Sequence, residues 1–455
     1  MPFIMKRKLN SVILSSAGFI IFCSLFSISC SAQNDTIKVM AYNTLGFGPG
    51  SCQTPAVNQV ATEYPYLKAI FQFATPDIIG LDKLQCVQSS PTDFQGISPY
   101  TFPDTIISEC FNTNYSYCPF TNLSGCAGSS SIVFYNTKKL GYISTTPLYT
   151  VAEDIDLFAL YYKDPYLSTT HDTTYLFVVL CHTISGASSS GRDGQDTTVI
   201  HKLKTMYYNL PNLIYMGDFN TRSSSEPGYE YITQNDPNPN FIMDDPPFHP
   251  DSKLSYPDSW ESGLSSVAYY TTTTRSTTLP NSCGTTGGAK DWYDHIFLSQ
   301  WIVNNTNFIS YIKDSYTTIG NDGNRLGVSV NAGTNSSAPA NVINALFNFS
   351  DKYPVMVSLG VTNNVTGITN ILKEPGSIKV NNPLINNNVV MHFATPMSGQ
   401  SITMDIYDIC GRVLYKSAFV VNSSVINKDI SLVPGVYMLH FTSGGYSTTL
   451  KVVKE

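Results

Sequence analysis

The stretch that decides the reading of this chain is Asn212-Leu-Ile-Tyr-Met-Gly-Asp-Phe-Asn220. Leu213 to Met216 is an apolar run of strand length, and Gly217 lets the backbone turn at its end. Asp218 and Asn220 follow with one residue between them, so on an extended chain both side chains project to one side. A carboxylate placed there can orient a water or hold a cation, and an amide can donate to an oxyanion. That pairing is half of the equipment for attacking a phosphate ester.

Working outward, the same pattern recurs. Ile37 to Asn43, Asp77 to Leu84, Ser130 to Tyr135 and Leu176 to Cys181 read as strands, the last leading into His182. Trp292 to Leu298 carries Asp294, and Tyr353 to Leu359 follows Asp351. Gln59 to Ala74 has Val60, Tyr64, Leu67, Ile70 and Phe71 at helical spacing before Pro76 stops it, and Val199 to Asn209 is a second helical segment. Strands mixed with few helices predict an α/β sandwich, two sheets inside and helices outside. Asn43, His182, Asp218, Asn220, Asp294 and Asp351 then stand at strand ends that can face one cleft. Singly, each reads as a turn cap; at the ends of successive apolar runs they read as a site.

Composition narrows the setting. Residues 1–33 place Lys6, Arg7 and Lys8 ahead of an apolar run, Val12 to Ile28, and a small-residue end at Ser29-Cys-Ser-Ala-Gln33, the layout of a secretory signal. Removing it leaves 23 basic against 33 acidic residues, a net charge of −10, which disfavours strong nucleic-acid binding. Of the cysteines that remain, Cys110, Cys118 and Cys126 lie in a Tyr/Asn/Ser-rich stretch and are expected to pair in an oxidising space, while Cys181 reads as a buried thiol. The polar region from Thr221 to Lys290 matches no motif and is expected to form a cleft wall. The domain reading is a signal at 1–33, a main domain at 34–360, a linker at 361–378 and a small all-β sandwich at 379–455.

The main domain resembles the endonuclease/exonuclease/phosphatase superfamily with its DNase I-like fold. The carriers, in the family's order, are Met40-Ala-Tyr-Asn43, Pro76-Asp-Ile-Ile-Gly-Leu81, Leu180-Cys-His182, Tyr215-Met-Gly-Asp-Phe-Asn220, Tyr293-Asp-His-Ile296 and Ser350-Asp-Lys-Tyr-Pro-Val355. The resemblance implies a four-layer α/β sandwich. It places Asn43 near metal and phosphate, His182 toward the leaving group, Asp218 on the attacking water and Asn220 on the phosphate. Asp294 becomes the partner of a histidine, and Asp351 lies beside the metal, so Asn43 and Asp351 are the metal-side residues.

Two positions depart from the family. Lys83 stands where a glutamate holds the catalytic Mg²⁺, and Lys352 stands where a histidine contacts the scissile phosphate. Mg²⁺ needs oxygen ligands, and lysine offers only a cation. A bulge would be needed to turn Asp82 inward instead, because adjacent strand residues face opposite ways; the regular-strand reading expects none. The expectation is that Lys83 takes the metal position, neutralising Asp218 and Asp351, and that Lys352 pairs with Asp294. The resulting domain is catalytically impaired or inactive, needs no cofactor and retains a phosphate-ligand cleft. The alternative is an active phosphodiesterase, nuclease or phosphatase using Mg²⁺ or Mn²⁺ at an altered site.

The C-terminal segment resembles the type IX secretion sorting domain of Bacteroidetes, on Asn382-Pro383, Asp405-Ile-Tyr-Asp408 with Gly411-Arg412, Gly435-Val-Tyr-Met-Leu439 and Lys451-Val-Val453. That resemblance implies export through the periplasm, the type IX machinery as partner, and release or attachment at the outer membrane surface.

Overall fold

The computed structural model describes residues 35–48, 60–85, 102–121, 129–362 and 378–455, apart from 152, 171–172, 208–209, 237, 262–263, 265, 281–282, 385, 394–396, 398, 410 and 444–445. The signal segment and most of the linker lie outside these residues.

In the main domain the strands are β1 (Asp35–Asn43), β2 (Ile78–Gln85), β3 (Tyr115–Tyr117), β4 (Ser129–Asn136), β5 (Leu140–Val151), β6 (Glu153–Tyr162), β7 (Thr174–His182), β8 (Leu213–Asp218), β9 (Met243–Asp244), β10 (Asp294–Ser299), β11 (Ile309–Tyr311), β12 (Thr317–Thr318) and β13 (Val355–Val361). They form two sheets, ordered β11-β13-β1-β2-β4-β3, with β12 added on β13, and β5-β6-β7-β8-β10-β9. β1 and β2 of the first sheet pack against β7 and β8 of the second. Gly80 makes that approach possible. A Cβ there would stand 2.7 Å from both Leu180 Cδ1 and Met216 Cε.

Helices cover both outer faces. Val60–Ala74 and Ala340–Phe349 pack on each other against the first sheet, where Phe349 meets Tyr42 of β1 and Phe71 meets Phe111, which in turn meets Phe134 of β4. Ser190–Met206 and Pro227–Thr233 cover the second, and the hydroxyl of Tyr215 on β8 donates to Asp196 of the first of these. The four-layer sandwich is therefore present. The helix read at Val199–Asn209 starts nine residues earlier, at Ser190, because its first turns bury polar Arg192, Gln195 and Asp196 rather than apolar residues.

The cysteine expectation is corrected. Cys110 and Cys118 are free thiols, buried in the core like Cys181. Cys110 sits on the inner face of the helix Phe102–Cys110, and Cys118 follows β3. Cys283 is disulfide-bonded, to a partner outside the described residues. Cys126 also lies outside them.

The C-terminal segment has its own core, which includes Met391, Met404, Ile406, Leu439 and Phe441. Around it lie a three-stranded sheet (Ile378–Val380, Asn388–Phe393, Val425–Asp429) and a four-stranded one (Val413–Val420, Ser401–Asp408, Gly435–Ser443, Tyr446–Lys454). Among the described residues no helix is long and apolar enough to cross a membrane.

Candidate functional site

Strand register brings the predicted residues together. Asn43 stands opposite Asp82 where β1 and β2 run parallel, and Asp218 stands between His182 on β7 and Asp294 on β10. Ser350 to Lys352 precede β13. The Ser350 hydroxyl donates to the Asn43 carbonyl at 2.8 Å, and this fixes the approach of Asp351 and Lys352.

Asp218 is the hub. Its Oδ2 accepts from Asn43 Nδ2 at 2.8 Å, and its Oδ1 accepts from the Asn220 backbone amide at 2.9 Å. Asn220 adopts φ +49°, and its side-chain amide donates to the Thr183 carbonyl at 2.9 Å. The fixed turn Asp218-Phe-Asn220 follows from Gly217, whose φ of +133° and closeness to β7 admit no side chain: a Cβ would stand 1.9 Å from the Cys181 carbonyl oxygen.

The lysines differ from expectation. Lys83 does not pair with Asp218 or Asp351; it is half-buried, and among the described residues no acid lies within ion-pair distance of it. The cause is a β-bulge. Leu81 faces Ile132 and Leu84 faces Ser130, so Asp82 and Lys83 together stand against Ser131, and Lys83 takes φ +53°. The extra residue breaks the alternation of a regular strand. Asp82, rather than Lys83, turns into the site, where it is fully buried with both carboxylate oxygens unpartnered.

Lys352 is the ion-pairing lysine, and its partner is Asp218 rather than Asp294. Its Nζ lies 3.2 Å from Asp218 Oδ2 and 2.8 Å from Thr272 Oγ1, and it sits 4.7 Å above the centre of the Tyr293 ring. Burial alone would lower the Lys352 pKa, but Asp218, Asp294 and Asp351 together raise it above the ordinary lysine value. Burial likewise pushes Asp218 up, yet Lys352, His182, the Asn220 amide and Lys83 outweigh it and bring Asp218 down to about 2. Asp82 and Asp294 go the other way. Burial raises both well above the carboxylate range; the charges of Asp294 and Asp218 add to it at Asp82, and that of Asp218 adds to it at Asp294. Asp294 is fully buried, and a hydrogen bond from the Thr271 side chain offsets part of that rise.

Asp351 is held on one side only: its Oδ2 accepts from the Thr285 amide and hydroxyl, each at 2.8 Å, while Oδ1 has no partner. His182 is fixed through Nδ1, 2.8 Å from Glu153 Oε1. Sequence reasoning misses Glu153, Thr272 and Thr285. Glu153 opens a strand instead of ending an apolar run, and the two threonines lie in the motif-free region from Thr221 to Lys290. Arg275 of the same region, fully buried, donates to the carbonyls of Phe347, Asn348 and Cys283 and ties that region to the end of the helix Ala340–Phe349. His295 is out of phase with Asp294: it faces away, buried against Asp245 and Trp292.

The residues do not fit a divalent cation as they stand. Among the described residues no group of three or more His, Cys, Asp or Glu side chains is gathered to hold one. The ammonium of Lys352 lies against the central carboxylate, and the Asn43 carbonyl oxygen of the side chain already accepts from the Leu45 amide at 2.9 Å.

Residues 382–455 match the secretion system C-terminal sorting domain family. That segment is a type IX sorting domain, which indicates secretion or cell-surface attachment and implies contact with the type IX machinery. No curated protein matches the chain's sequence. Similar solved structures include an endonuclease/exonuclease/phosphatase family protein from Bacteroides thetaiotaomicron (16% identity, TM-score 0.44, 73% of this chain and 100% of that one). A mannosyl-6-phosphatase from the same organism is similar at 16% identity and TM-score 0.42, over 71% of this chain and 99% of that one. The human Nocturnin catalytic domain is similar at 13% identity and TM-score 0.41, over 72% and 97%. The chain combines a four-layer α/β sandwich with a C-terminal export-sorting domain.

Proposed function

We propose that the main domain is an exported phosphoesterase-like domain that does not carry out metal-dependent hydrolysis. The carrying observation is the buried ion pair of Lys352 with Asp218, the residue that would orient the attacking water. A carboxylate already hydrogen-bonded to Asn43 and paired with an ammonium is a poor base and a poor cation ligand, and metal or general-base catalysis in such sites supplies several kcal/mol. The remaining role of the cleft is recognition of a phosphate-containing ligand at its rim. Lys83 and His182 would meet it there, because Asp218 neutralises the lysine at the floor. A net charge of −10 on the processed chain keeps long nucleic acids out of this ligand class.

A second reading has its own support. Asp82 presents two buried, unpartnered oxygens beside Asp218, and Asp351 presents one, which favours hydrolysis with Mg²⁺ or Mn²⁺ held by Asp82. Hydrolysis of a phosphodiester by the purified protein, with and without EDTA, separates the two. EDTA-sensitive turnover supports the second reading, and its absence supports the first.

A further inference from the structure

We propose that the edge strand Val413–Val420 of the sorting domain pairs antiparallel with the same strand of a second copy of this chain, Ser417 facing Ser417 on the two-fold axis.

Among the described residues this strand pairs on one side only, with Ser401–Asp408. The far margin of the same sheet, Tyr446–Lys454, is closed near its end. There the Leu384 amide donates to the Val453 carbonyl at 2.7 Å, and the Val453 amide donates to Asn382 Oδ1 at 2.9 Å. An open edge of 8 residues is a template for pairing with another chain. Its side chains suit that pairing. Leu414, Lys416, Ala418 and Val420 alternate on the exposed face, Leu414 at 46% and Val420 at 53% exposure. Tyr415 and Phe419 turn toward the core yet stay half-buried, because no described strand flanks them on the outer side. Leu414 and Tyr415 also line an open groove of about 380 Å³ with Leu432 and Val433.

The order of residues selects a second copy as the occupant. Directly opposed residues of an antiparallel pair share a face, so a two-fold axis perpendicular to the sheet sets its central residue opposite itself. With Ser417 at the centre, Lys416 faces the partner's Ala418, Tyr415 faces the partner's Phe419, and Leu414 faces the partner's Val420. Aromatic then meets aromatic on the inner face, aliphatic meets aliphatic on the outer face, and each pair occurs twice. Centring on Lys416 instead opposes two ammoniums, and centring on Ala418 sets Phe419 against Ser417 and Lys416 against Val420. Cross-strand aromatic and aliphatic pairs stabilise a sheet, whereas like charges directly opposite destabilise it. Lysine on an edge ordinarily discourages pairing, but the Lys416 ammonium is already 3.1 Å from Asp405 Oδ2 within its own sheet. The strand is therefore complementary to itself in one register.

The test uses the full chain, followed by sedimentation equilibrium over a concentration series, with thermal unfolding to show that each variant is folded. The wild type is expected to form dimers reversibly. Ala418→Lys sets an ammonium opposite the partner's Lys416 at both ends of the interface and should weaken association by roughly tenfold. Ala418→Glu sets a carboxylate there and should tighten it by a similar factor. Ala418 is exposed, so neither change should shift Tm at concentrations where the chain is monomeric. Opposite shifts from the two variants support both the pairing and its register. A wild type that stays monomeric overturns the inference and leaves the edge to an extended segment of the export machinery. A dimer that both variants shift in the same direction, or not at all, overturns it as well.

Discussion

The Nζ of Lys352 lies 3.2 Å from Oδ2 of Asp218, and both side chains are buried. Asp218 ends β8, and Lys352 arrives from the loop before β13, so the contact joins the two sheets at the strand ends where the candidate site lies. A buried pair of this kind contributes little relative to apolar replacements, yet breaking it from one side leaves a charge without compensation. Lys352→Met and Asp218→Asn should each destabilise the main domain by about 3–5 kcal/mol. The double variant should lose less than the sum of the two. Urea unfolding of the three variants checks this, and strict additivity would contradict a direct pairing.

Gly217 makes the turn that presents Asp218. Its φ of +133° and the 1.9 Å that would separate a Cβ at this position from the Cys181 carbonyl leave no room for alanine. Gly217→Ala should cost more than about 4 kcal/mol, a range reached when backbone or packing is forced apart. Chemical denaturation reads the loss directly.

Asp196 supplies a pH dependence away from the site. It is fully buried, and burial raises it from 3.8 to about 8, against the donated Tyr215 hydroxyl and with Asp193 and Glu226 adding to the rise. A carboxyl whose folded pKa is raised binds more protons folded than unfolded. Its contribution therefore weakens stability as pH rises from about 4 toward 8, by up to ~1.4 kcal/mol per pH unit. Asp196→Asn keeps an acceptor for Tyr215 and should flatten that slope. Urea midpoints at pH 5 and pH 8 for both proteins test it; identical slopes would refute it.

The thiols give a chemical check of the core. Burial raises the pKa of Cys110, Cys118 and Cys181, so none should react with an alkylating reagent in the native protein at pH 8. All three should be labelled in urea without reductant, and Cys283 only after reduction. Peptide mapping by mass spectrometry distinguishes the four.

Much of this fold is legible in the chain because apolar runs of strand length end in polar residues, and Gly217 marks the turn at the most informative of them. The register that gathers Asn43, His182, Asp218 and Asp294 follows from those runs. The bulge at Asp82 and Lys83 is not legible. Local alternation points Lys83 inward, and only pairing with β4 across two sheet partners inserts the extra residue. The partner of Lys352 is equally hidden, since Asp218 and Asp294 are register neighbours and both are aspartates. Cys110 and Cys118 sit among residues of loop-like composition yet pack into the core, where tertiary burial overrides local pattern. Thr272 and Thr285 reach the site from a region with no periodicity to read.

If the Lys352–Asp218 pair has replaced metal-dependent chemistry, the most direct test is hydrolysis of bis(p-nitrophenyl) phosphate by the full chain. Mn²⁺ or Mg²⁺ is supplied at roughly ten times a millimolar dissociation constant, so that even a weak site would fill. No turnover above a metal-only control is predicted, with or without EDTA. Turnover that needs the metal and disappears with EDTA would contradict it.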